Sequence, residues 1–139
     1  MSCDYGVWYS ERALTKQEAG KIYTALCEQW PFLDGENAAV RAFYDELTGR
    51  WPEIDTIREE RVDDHDYCPW SCAISHSGMA VVTACVWSKA GVVGSFVEEL
   101  ARKHKLVFFD PQSDQVILPE HLKSRGVEKS WLGRWFFRS

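Results

Sequence analysis

The chain has 139 residues, 45% of them hydrophobic, with seven Trp, seven Phe and five Tyr against a formal net charge of −5. That size and aromatic content exclude a disordered acidic chain and predict one folded domain that buries about two-thirds of its unfolded surface. No apolar run is long enough to span a membrane and "MSCDYGVWYSERAL" carries no basic leader, so residence in the cytoplasm is expected.

In chain order, "YGVWY" (Tyr5 to Tyr9) is aromatic and β-branched and predicts a first strand. Thr15 followed three residues later by Glu18 is a capping-box signature; Ile22, Tyr23, Leu26, Cys27 and Trp30 then recur at helical spacing until Pro31 stops the helix. "ENAAVRAFYDELTGRWP" repeats the arrangement, with Val40, Phe43, Tyr44, Leu47 and Trp51 in an apolar stripe closed by Pro52. Residues 53–69 are polar, acidic and aperiodic, which predicts a long loop. "SCAISHS" and "MAVVTACVW" flank a Ser77-Gly78 turn and predict a hairpin, its second strand small and β-branched as a central strand would be. "SKAGVVGSFVEELARKHKL" predicts a helix with Val92, Phe96, Val97 and Leu100 on one face and basic residues in its last turn. "LVFFD" predicts a strand, "PQSDQ" a turn and "VIL" a short last strand before Pro119.

The order β-α-α-β-β-α-β-β predicts a single α+β domain over residues 1–118, of ferredoxin-like or split βαβ type, with an antiparallel sheet carrying helices on one face. Residues 119–139 form a C-terminal tail in which Trp131, Leu132, Trp135, Phe136 and Phe137 are interleaved with Arg134 and Arg138. Aromatics beside arginines can stack on bases, but the overall acidity argues against nucleic acid. Docking of the tail on the sheet, or on a second copy of the chain in a homodimer, is expected instead.

Residues 63–76, "DDHDYCPWSCAISH", collect the side chains with most chemistry. His65, Cys68, Cys72 and His76 are zinc-capable types, yet the last two fall on a predicted strand and Pro69-Trp70 occupies the turn where a zinc knuckle needs a tight bend. No metal and no cofactor are therefore expected; these four residues are the ligand set of an alternative reading, a small metal- or ligand-binding regulatory domain. A Cys-His nucleophile from the same residues lacks oxyanion donors. With no Gly-x-Ser-x-Gly elbow, phosphate loop or His-Glu-x-x-His helix in the chain, a non-enzymatic protein is expected. The five cysteines are an odd number without framework spacing, which predicts free thiols, with Cys72 and Cys85 the pair nearest to each other.

Charge is unevenly spread: residues 1–66 carry fifteen acids against seven bases, and residues 119–139 two against five. An acidic first half attracts a basic partner. The acids Asp63, Asp64 and Asp66 run directly into Tyr67 and Trp70, so steering charge and aromatic anchors are expected to form one protein-binding edge.

At "WP…DDHDYCPWS" and "VWSKAGVVGSFVEELARKHKLVFFDPQ" the chain resembles a widespread group of uncharacterised small bacterial proteins. Those proteins begin with a "YDLAVW"-like strand, carry an acidic loop running into "SPW", and end in "LAREHGLVCYDPQ". The similarity covers roughly residues 4 to 118, and Asp110-Pro111-Gln112 is its most specific part. Proteins of this kind are similar to cytosolic immunity proteins that neutralise polymorphic toxins in interbacterial competition. The resemblance implies a cognate toxin protein as partner, bound and occluded through the acidic and aromatic surface, with no membrane and no catalytic residue. The chain departs from the group in having Cys68 where the group has Ser before Pro-Trp, and in its aromatic tail.

Overall fold

A computed structural model describes residues 2–28 and 35–123. Their elements follow the expected order: β1 (Ser2–Trp8), α1 (Lys16–Glu28), α2 (Ala38–Arg50), β2 (Ser75–His76), β3 (Ala80–Val86), α3 (Ala90–Lys103), β4 (Val107–Asp110) and β5 (Gln115–Ile117). The strands form one sheet in the order β2-β3-β1-β4-β5, with every neighbouring pair antiparallel. Strand β1 thus lies between two strands reached only by crossovers, the split βαβ arrangement of an α+β fold.

Alternation along β1 divides the interior. Cys3, Tyr5 and Val7 point into a core built with Val40, Phe43 and Leu47 of α2 and Val93, Val97 and Leu100 of α3. Trp8 points the other way, into a second core with Leu14, with Ala19 and Leu26 of α1, and with Val107 and Phe109 of β4. The expected helical layer on one face is therefore α2 and α3, while α1 covers the opposite face. Gly6 makes the second packing feasible, because a Cβ there would sit 2.9 Å from the Tyr23 ring. Strand β4 is flanked on both faces, which explains why "LVFFD" shows no polar alternation.

Local signals hold where both partners are close in sequence. The Thr15 amide donates to Glu18 Oε1 (2.9 Å) and the Glu18 amide to Thr15 Oγ1 (3.1 Å), a complete capping box. Asn37 caps α2 by accepting from the amides of Ala39 (2.9 Å) and Val40 (3.2 Å). Helix α3 differs in phase from the expected face: Val93, Val97, Leu100 and Ala101 are buried, and Val92 is exposed. Pro119 and Leu122 are also buried, so the packed unit runs past residue 118. The aromatic residues expected of the tail, Trp131 to Phe137, lie outside the described residues. Among the described residues no helix is long and apolar enough to cross a membrane.

The Asp110-Pro111-Gln112 motif has a structural task. Strand β4 pairs with β1 from Val107↔Trp8 to Phe109↔Gly6, and Pro111 has no N–H to carry the ladder further. The Gln112 carboxamide continues it instead, accepting from the Asp4 amide (2.7 Å) and donating to the Asp4 carbonyl (2.8 Å). Asp110 Oδ1 orients that side chain, accepting from both the Gln112 amide (3.0 Å) and its Nε2 (2.6 Å). Gln112→Ala is expected to cost about 0.5–1.5 kcal/mol by removing both bonds to the Asp4 backbone at an exposed edge. Gln112→Glu should be no better, since a carboxylate cannot donate to the Asp4 carbonyl. Denaturant unfolding of both variants measures this, and unchanged midpoints would contradict the assignment.

Candidate functional site

The acidic segment is an ordered structure held by short-range backbone bonds. It makes two 3₁₀ turns, Ile54–Thr56 and Glu59–Arg61. Two further turns follow, with the Asp64 amide donating to the Arg61 carbonyl (3.1 Å) and the Tyr67 and Cys68 amides to the Asp64 carbonyl (3.0 and 2.8 Å). At its start the Glu53 carboxylate accepts the Tyr44 hydroxyl (2.5 Å) and the Ile74 amide (3.0 Å), fastening the segment to α2 and to the head of β2. Burial, and then the bond to Glu53, push the Tyr44 phenol pKa upward, so the hydroxyl stays a donor.

The expected binding residues separate into two groups. Trp70 is 1% exposed: it bridges to Cys85 of β3, its indole N–H donates to the Trp51 carbonyl (3.2 Å), and its ring meets the Trp51 ring edge-on at 5.9 Å. It belongs to the core and is unavailable as a surface anchor, because pairing with β3 turns its side chain onto the buried face of the sheet. Tyr67 is half-buried beneath the Arg61 guanidinium, 3.7 Å from its ring centroid. Asp64 pairs with Arg61 (3.3 Å) and Asp66 with Lys89, a bond that holds the Asp66 carboxyl below its usual range. Asp63 is exposed and makes no ion pair among the described residues, as do Asp55 and Glu59.

The alternative metal set does not converge. Cys68 is fully buried, Cys72 is exposed, and His76 stacks on Tyr44 at 4.1 Å. From Pro69 to His76 the chain runs along β3 instead of curling, with the Val86 amide on the Pro69 carbonyl (2.8 Å) and the Ser71 amide on the Ala84 carbonyl (2.9 Å). Among the described residues no group of three or more His, Cys, Asp or Glu could hold a metal ion. Burial also raises the thiol pKa of Cys68, and that of Cys85 to about 12, the opposite of what a nucleophile requires. All five thiols are free, and the residue directly opposite Cys85 is Cys3 of β1, not Cys72.

The exposed large hydrophobics lie where sequence reasoning did not place them. Trp87 (54% exposed) and Val92 (56% exposed) are the large hydrophobics that stand out of the described surface. Trp87 opens the 3₁₀ turn Trp87–Lys89 that leads into α3, and Lys89 of that turn holds Asp66 of the acidic loop. Between loop and helix lies a cavity of about 320 Å³ whose wall includes Arg50, Trp51, His65, Lys89 and Val92. The sequence signal was present but overridden: "MAVVTACVW" reads as one strand, and the strand ends one residue before its Trp. A second cavity, about 450 Å³, lies between the start of α2 and the β2-β3 turn, with Asn37, Arg41, Tyr44 and His76 in its wall.

Two outcomes test these placements. A thiol reagent should modify Cys27 and Cys72 of the native protein and reach Cys3, Cys68 and Cys85 only after unfolding; equal rates at all five would contradict the burial pattern. Trp70→Ala should cost about 3–5 kcal/mol in denaturant unfolding, whereas Trp87→Ala, made at an exposed position, should stay within about 0.5 kcal/mol of the parent. Compared with protein-family models, curated proteins and solved structures, the chain matches none, so the site rests on its own residues.

Proposed function

We propose that this chain is a non-enzymatic immunity protein of the bacterial cytoplasm, which binds a cognate toxin enzyme and occludes its basic active-site cleft. The observation that carries the reading is the exposure of Trp87 and Val92 beside the acidic loop, linked to it by the Lys89–Asp66 ion pair. A Trp and a Val left more than half in water lose little on folding and gain on docking, which is the energetic profile of an interface anchor. The unpaired acids Asp55, Glu59 and Asp63 supply long-range attraction for a basic surface, in the half of the chain that carries fifteen acids against seven bases. The resemblance to small bacterial immunity-like proteins supplies the class of partner. The ligand-binding alternative retains one supporting observation, the cavity between α2 and the hairpin.

The test is protection of cells from the cognate toxin, with binding kinetics on the purified pair. Trp87→Ala should weaken binding by about 2 kcal/mol or more, chiefly through faster dissociation. Asp63→Lys should slow association and flatten its salt dependence while leaving dissociation nearly unchanged. Both variants must melt with the parent. Should both, once shown to be folded, bind and protect like the parent, this face is not the interface.

A further inference from the structure

We propose that the cavity between the acidic loop and α3 is a carboxylate-binding site, built to take an Asp or Glu side chain of the partner. The proposal rests on the functional reading above for the identity of the partner, and on the cavity alone for its chemistry.

The local charge inverts the surroundings. The loop that forms one side is acidic in sequence, yet the cavity wall brings the cations Arg50 and Lys89 and the His65 imidazole together with a single carboxylate, Asp66. The three come from separate elements: the last residue of α2, the acidic loop, and the turn that precedes α3. The Arg50 guanidinium stacks over the Trp51 ring at 4.4 Å. Among the described residues it has no ion-pair partner, so its planar fork is open to the two oxygens of a carboxylate. Lys89 does have a partner, but an exchangeable one. Its side chain is 30% exposed, whereas that of Asp66 is 84% exposed and can return to water when another anion takes its place.

The floor selects the kind of anion. The buried Trp51, Pro69 and Val93 and the exposed Val92 give the same cavity an apolar part. An anion on a short aliphatic stem satisfies both parts, the head on Arg50 and Lys89 and the methylenes on the apolar floor; inorganic phosphate satisfies only the first. A basic partner can deliver such a side chain because the surrounding acids attract the rest of its surface. The interface would then be bipolar, with an acidic ring around a cationic socket.

The experiment uses the full chain alone. Sodium chloride is replaced stepwise by sodium propionate at constant ionic strength while amide, Arg50 and His65 resonances are followed, with inorganic phosphate in parallel. Expected are saturable shifts confined to the cavity below about 100 mM propionate, weakened about tenfold by Arg50→Gln and strengthened by Asp66→Asn, which removes the anion competing for Lys89. Absence of saturable shifts, persistence of full binding in both Arg50→Gln and Lys89→Gln, or tighter binding of phosphate than of propionate overturns the assignment. With the partner in hand the sign of one effect separates this inference from the broader reading. Arg50→Gln makes the face more acidic, so it should tighten binding if acidity alone counts and weaken it if the socket is filled. Tightening would overturn the socket and leave the acidic interface standing; loss of effect at Trp87 and Asp63 would sink the interface itself.

Discussion

Trp51 is the contact on which the arrangement of the acidic loop against α2 and α3 depends. It ends α2, where its amide caps the helix on Leu47 (3.0 Å), and its ring then touches Trp70 at 5.9 Å and Phe96 of α3 at 5.1 Å, both near edge-on. Its carbonyl takes the Trp70 indole N–H. One side chain thereby joins α2, α3 and the segment that enters the sheet, and the acidic loop is the chain between its two tryptophans. Closing a loop of that length carries an entropic cost of a few kcal/mol that grows only slowly with length. Burying two indoles edge to edge offsets it, since aromatic pairs of this geometry add to a large apolar area. The charged residues of the loop can stay exposed because it is held at its ends and packed on the core through Ile54, Ile57 and Tyr67.

This arrangement also explains which parts of the molecule were legible from sequence. The capping box at Thr15 and Glu18, the stripe of α2, the Ser77-Gly78 turn and the order of elements were readable because their determinants lie within a few residues of one another. The side of the sheet taken by α1 was not, since helical periodicity defines an apolar face without saying which layer receives it; that choice follows from Gly6 and Trp8 on a strand the helix does not adjoin in sequence. Trp70 was misread for a similar reason. Set among Asp, Tyr, Cys and Ser it has the neighbourhood of an exposed residue, and only the bridge to Cys85, fifteen positions away, turns it inward. The reverse happened at Trp87, whose apolar neighbours belong to β3 while it lies just past the end of the strand.

Charge shows the same gap between composition and arrangement. Counting acids predicts a uniformly negative edge, whereas three of the loop carboxylates, Glu60, Asp64 and Asp66, are matched by Arg58, Arg61 and Lys89. Exposed pairs of this kind contribute little stability each, and their effect here is on pattern. With Glu53 bound by the Tyr44 hydroxyl and the Ile74 amide, they localise the remaining unpaired charge to Asp55, Glu59 and Asp63 and leave the Arg50 guanidinium as a cation without an ion pair among the described residues. A surface patterned in both signs discriminates among partners better than one of a single sign, because a wrong partner meets like charge somewhere on it.

Glu53 carries a consequence beyond fastening the loop. Strand β2 is the edge of the sheet, and its own length is two residues. At its head the Ile74 amide is already taken by the Glu53 carboxylate, which the Tyr44 hydroxyl holds in place. A second chain approaching this edge to extend the sheet finds that donor occupied and a carboxylate in its path. Open edges are where sheets join to one another and begin fibrous aggregation, and short, charged edges are the usual defence. The β2 edge, two residues long with its leading amide occupied by a carboxylate, therefore offers an incoming strand little to pair with.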